Sequence, residues 1–137
     1  MRPDTERQVI IDDGDAMLYW HAKPKIVHHE LKGIVQGQRF RQLLEKGLEL
    51  FREHGACKWL SDDRGNTALS HEDTDWAINV WSPQVIAAGW KYWAVVMPKK
   101  MIGQMDMTGW IKRYAEKGVT VSAFTDPDAA LRWLSVR

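Results

Sequence analysis

Residues 40–61, FRQLLEKGLELFREHGACKWLS, decide how this chain folds. Phe40, Leu43, Leu44, Leu48 and Phe51 recur at the spacing of one helical face, while Arg41, Glu45, Lys46, Glu49 and Arg52 take the opposite one. Gly55 stands where a left-handed residue ends such a helix. Lys58 to Ser61 then reads as extended. A helix running straight into a strand is half of a strand-helix-strand crossover, and the same alternation continues downstream.

The next helix is expected from about Ser70, where Ser70 and Asp73 match a capping pattern and Gly89 provides the stop. Pro83 falls inside it, so a kink is expected near Ser82. Lys91 to Pro98 is extended, and Tyr92-Trp93-Ala94-Val95-Val96-Met97 is apolar on both faces, as in a central strand covered on both sides. A third helix runs up to Lys117, with Gly118 behind it. Val119 to Phe124 is extended, and Asp126-Pro127 opens a last helix whose apolar face is Ala129, Ala130, Leu131 and Leu134.

Upstream of residue 40 the period is two. Gln8 to Ile11, the turn Asp12-Asp13-Gly14-Asp15 and Ala16 to Trp20 read as a hairpin, and Ile26 to Leu31 as a third strand ending at Gly33. The expected architecture is a single α/β domain over residues 1–137, with a mixed sheet that starts in an antiparallel hairpin and continues with alternating helices and strands.

The composition is that of a globular domain: 137 residues, 45% apolar and 27% charged, with a formal net charge of +1. Disorder and a membrane-embedded chain are thereby disfavoured. The scattered lysines and arginines make no basic stripe, so nucleic acid is not an expected partner. One cysteine, Cys57, and no signal-like opening point to the cytoplasm.

Nucleophile-elbow, phosphate-loop and paired-cysteine motifs are missing, so no catalytic residue and no cofactor is assigned. His28 and His29 are neighbours on one strand and point to opposite faces, which argues against a shared metal; one is expected in the core and the other in solvent. The densest polar stretch, Asp62, Asp63, Arg64 and Asn66, follows a central strand at the carboxyl edge where α/β sheets bind ligands. Two carboxylates there could hold a divalent cation and Arg64 an anion, although the same residues also make turns. Met101, Met105 and Met107 leave the next strand at the same edge, as a lid over an apolar ligand or as core filler. Eight tryptophans exceed ordinary core needs and suggest an interface or pocket beside the core.

The order of elements, together with FRQLLEKGLELFREHGACKWLSDDRGNTALSHEDTDWA (40–77), AGWKYWAVVMP (88–98) and VTVSAFTDPDAALRWL (119–134), resembles small bacterial proteins of the STAS/SEC14-like group, the fold of the anti-sigma-factor antagonists. The resemblance implies that Asp62 matches the antagonists' strand-ending aspartate and that Ser70 holds the position of their phosphorylated switch serine. The surrounding Ala68-Leu69-Ser70-His71-Glu72-Asp73 departs from their Asp-Ser-Ser-Gly-Leu pattern, and Glu72 and Asp73 would repel a phosphate. The expectation is therefore a non-enzymatic binding or regulatory module of STAS type, working through Asp62, Asp63, Arg64, Asn66, Ser70, Met101, Met105 and Met107. Its partner is a protein or a small apolar ligand. The alternatives are a lipid-like carrier with a Met-rich lid and, behind it, a metal enzyme using Asp62 and Asp63. A homodimer could form through the hairpin edge or the Trp76 to Trp81 face.

Overall fold

A computed structural model describes residues 7–65 and 70–137. Three strands open the fold: β1 (Arg7–Asp12), β2 (Ala16–His21) and β3 (Ile26–Leu31), paired antiparallel in sequence order. β1 carries a bulge between Val9 and Ile11. The β1–β2 turn is held by the Asp13 carboxylate, which accepts from the Ala16 amide at 2.9 Å, and by Gly14 at a φ of 86°. The rest is parallel: α1 (Gln38–His54), β4 (Lys58–Asp62), α2 (His71–Trp76), a π-helical turn (Ala77–Trp81), α3 (Ser82–Ala87), β5 (Tyr92–Val96), α4 (Lys99–Gln104), α5 (Met107–Glu116), β6 (Thr120–Phe124) and α6 (Pro127–Ser135).

The sheet order is β1-β2-β3-β4-β5-β6. Each crossover from β3 onward steps one strand in the same direction, so crossovers of one hand deliver their helices to one face. The larger core lies there, where Phe40, Leu43, Leu44 and Phe51 of α1 and Val85 of α3 meet Leu18, Val27, Trp59 and Val95. The last helix, α6, takes the other face, with Leu131 and Leu134 over Leu60, Ala94 and Val96. Both faces of β4 and β5 are therefore covered, as the apolar run at 92–97 predicts.

Three details differ from the sequence reading. Around Pro83, where the sequence leads one to expect a kink, the chain makes a π-turn in which the Ser82 amide donates to the Ala77 carbonyl, five residues back. Proline has no amide to continue the regular ladder, and the wider turn absorbs the misfit while the helix runs on. The third helix is two, separated at Met105 and Asp106, where Asp106 caps α5 by accepting from the Gly109 amide. His28 and His29 are both buried, because β3 has cover on both faces; neither points to solvent.

The tryptophans fill the larger core by contacting one another. Trp59 meets Trp81 edge-on at 4.9 Å between centroids, Trp81 meets Trp90 at 5.6 Å, and Trp90 meets Trp93 at 4.9 Å. Their indole donors are used: Trp59 to His29 Nδ1, Trp81 to the Leu44 carbonyl, Trp90 to the Tyr92 carbonyl and Trp93 to Ser61 Oγ. Trp81, which the sequence leaves open between core and interface, is core.

Gly47 lets α1 close onto Trp59, for a Cβ on it would collide with the indole ring. Gly47→Ala should therefore cost about 1–3 kcal/mol in denaturant unfolding through overpacking. Gly103→Ala, on exposed α4 with nothing near the added methyl, should be neutral or stabilising by up to about 1 kcal/mol.

Candidate functional site

Alternation along β4 sends Trp59 and Ser61 to the larger core and Leu60 and Asp62 to the α6 face. The consecutive carboxylates Asp62 and Asp63 therefore separate. Asp62 is 2% exposed and is held by Arg64, whose Nε donates to Oδ1 at 2.9 Å and Nη2 to Oδ2 at 2.8 Å. Asp63 instead meets His29 Nε2 at 2.7 Å. The two do not converge on one point, so the pair offers no common cation site.

The His29 contacts fix its proton. The Trp59 indole can only donate, and it does so to Nδ1, which leaves the ring's hydrogen on Nε2, where it is donated to Asp63. Both ring nitrogens are thus occupied. Behind Arg64, the Gly65 amide donates to the Leu31 carbonyl at 3.0 Å, and a Cβ on Gly65 would strike that carbonyl and the Lys32 backbone. Only glycine lets the loop lie so close against the end of β3.

Ser70 is the N-cap of α2, its Oγ accepting from the Asp73 amide at 3.1 Å. Buried Asp73 accepts in turn from the Gly37 amide at 2.9 Å, tying the start of α2 to that of α1. Met101 packs against the larger core, Met105 is exposed and Met107 is half-buried. The methionine segment forms α4 and the start of α5. Asn66 lies outside the described residues.

The second sheet face carries a polar group that the sequence reading did not assemble. Antiparallel register pairs Tyr19 with His28 and His21 with Ile26, so His21 and His28 lie diagonally across β2 and β3. Their rings stack at 5.3 Å, with His21 Nε2 and His28 Nδ1 3.1 Å apart. Tyr19 donates to Glu30 Oε1 at 3.0 Å, and the Arg7 guanidinium lies 3.9 Å over the Tyr19 ring. Burial, then that hydrogen bond, pushes the Tyr19 hydroxyl up to about 12. A cleft of about 140 Å³ lies between Arg7, His21, His28 and Glu30, the Asp62–Arg64 pair and the start of α6. A shallower one of about 320 Å³ adjoins it, sharing Glu30, Asp62 and Arg64. Neither is lined by methionine or tryptophan. The signal available in sequence was the parity of 21 and 28 across two paired strands.

No family model and no curated protein matches the chain. Among solved structures, it is similar to an uncharacterised protein of the DUF3478 family with a SpoIIAA-like fold from Shewanella loihica PV-4, at a TM-score of 0.56 and 14% identity over 93% of this chain and 91% of that one. The fold is SpoIIAA-like. It is the STAS-type α/β architecture that the element order implies. Ser70, which the resemblance alone matches to the antagonists' switch serine, works here as a helix cap, with the Asp73 carboxylate buried behind it. Among the described residues, no helix is long and apolar enough to cross a membrane.

Burial, with the positive charges of Arg7 and Arg64 behind it, holds the His28 imidazole well below its ordinary value of 6.5. The unfolded chain takes up a proton here as pH falls through 6.5, whereas the folded chain does so only at lower pH, so this contribution to stability is complete above 6.5 and shrinks below it. Urea unfolding across that range should show stability falling below about pH 6.5 by up to about 1.4 kcal/mol per pH unit for this group, and His28→Phe should reduce the slope.

Proposed function

We propose that the chain is a non-enzymatic binding and regulatory module of STAS type, acting through the carboxyl edge of β3 and β4. The observation that carries this reading is Arg64, which buried Asp62 holds by two hydrogen bonds at the meeting of two adjoining clefts. An arginine fixed in this way keeps donors for a further acceptor without reorganising. Lys32 lines the outer cleft beside it. The reading as a binder gains from His29, the histidine nearest this edge: Trp59 and Asp63 occupy both of its nitrogens, leaving no lone pair to accept a proton from a substrate.

Native mass spectrometry of the protein purified from its own host, compared with its denatured mass, tests the proposal. Extra mass on the folded form is expected, and its size reads directly whether the occupant is a partner chain, a second copy or a small molecule. Arg64→Lys keeps a charge against Asp62 but loses the two-pronged geometry, and should lose the adduct, while Arg39→Lys, at an Asp13 contact that lines neither cleft, should keep it. A bare folded mass, or an adduct indifferent to Arg64→Lys, would defeat the proposal.

A further inference from the structure

The inner cleft carries both signs of charge on fixed groups. Arg64 uses Nε and one hydrogen of Nη2 on Asp62, so three of its five donors remain for another acceptor. Both oxygens of Asp62 are taken by that contact. Two carboxylates line the same cleft: Glu30, beside Asp62 on the neighbouring strand, which uses Oε1 for the Tyr19 hydroxyl, and Asp128 in the first turn of α6. A simple anion would meet these carboxylates, and a simple cation would meet Arg64 and Arg7. Only a molecule with both charges complements the whole surface.

His28 supplies an independent pointer. It is 6% exposed, lines this cleft, and its Nε2 is buried without a hydrogen-bond partner. A buried polar atom left unmatched is costly and rare, and a bound ligand is one way to satisfy it. Nδ1 is engaged with His21, so Nε2 is the nitrogen left for an occupant. Pro127 and Leu131 give the cleft an apolar wall, and its volume of about 140 Å³ admits a molecule of several heavy atoms.

We propose that this cleft binds a small zwitterion of amino-acid size, its carboxylate on Arg64, its ammonium toward Glu30 and Asp128, and a polar atom against His28 Nε2. This rests on the reading of the edge as a binding site and adds the chemistry of its occupant.

The test is a titration of the isotope-labelled full chain with each standard amino acid singly, followed by NMR at the Arg64 side-chain Nε–H and the His28 ring nitrogens, with propionate and propylamine as single-charge probes. At least one amino acid is expected to give saturable shifts at both residues with a dissociation constant below about 1 mM, about tenfold or more tighter than either single-charge probe. Arg64→Lys should weaken that binding about tenfold or more, and Arg39→Lys should leave it unchanged. Absence of saturable binding by every amino acid, or equal binding by propionate, overturns the inference; the unmodified protein decides this even where Arg64→Lys fails to fold. A partner chain in the native mass spectrum beside silent titrations would leave the binding-module reading standing and remove this one.

Discussion

Trp59 lies wholly buried near the start of β4, and its indole reaches His29 on the neighbouring strand at 3.0 Å. The largest side chain of the core is thus also a hydrogen-bond donor, and its geometry is constrained on every side. Gly47 yields the space for α1 to cross it, Phe51 and Trp81 meet its ring, and His29 must present Nδ1 as an acceptor. That last demand passes outward, for it fixes the proton on Nε2 and aims it at Asp63 beyond the end of β4. Packing in the interior therefore determines the protonation of a group at the edge.

The same strand sets the division of labour at that edge. Because side chains alternate, Asp62 and Asp63 serve different faces, one as anchor for Arg64 and the other as acceptor for His29. Two adjacent aspartates look like a cation site when written in a line, and become two separate supports once the strand is formed. The Gly65 turn then presses the loop against β3, which brings Arg64 back over Asp62.

The α1 helix, the β4 and β5 strands, the N-terminal hairpin and the capped start of α6 were legible because each rests on local spacing: apolar residues at three and four for α1, an unbroken apolar run for β5, Asp126-Pro127 for α6. What escaped depends on partners distant in sequence. His28 and His29 both turned out buried because α6 and α1 arrive from opposite sides, and neither arrival is written near residue 28. Asp62 and Arg64 were visible as polar residues at a strand end, but their neighbours Arg7, His21, His28, Glu30 and Asp128 meet them only through strand register and the return of α6. The tryptophans were visible as an excess, whereas their packing on one another is a property of the closed core.

The π-turn at Ala77–Trp81 amounts to one residue more than a regular helix would hold between Ser70 and Trp81. Removing a single residue there would return the turn to regular α-helical spacing and leave the two ends of the helix facing as they do now. Trp81 would keep its hold on the core and the Ser70–Asp73 cap its hold on Gly37. Adding or removing a residue in the regular turns on either side would instead rotate one end against the other by about 100°. The π-turn is therefore a place where this helix tolerates a change of length without rephasing the residues that its tail gives to the core and its head gives to α1.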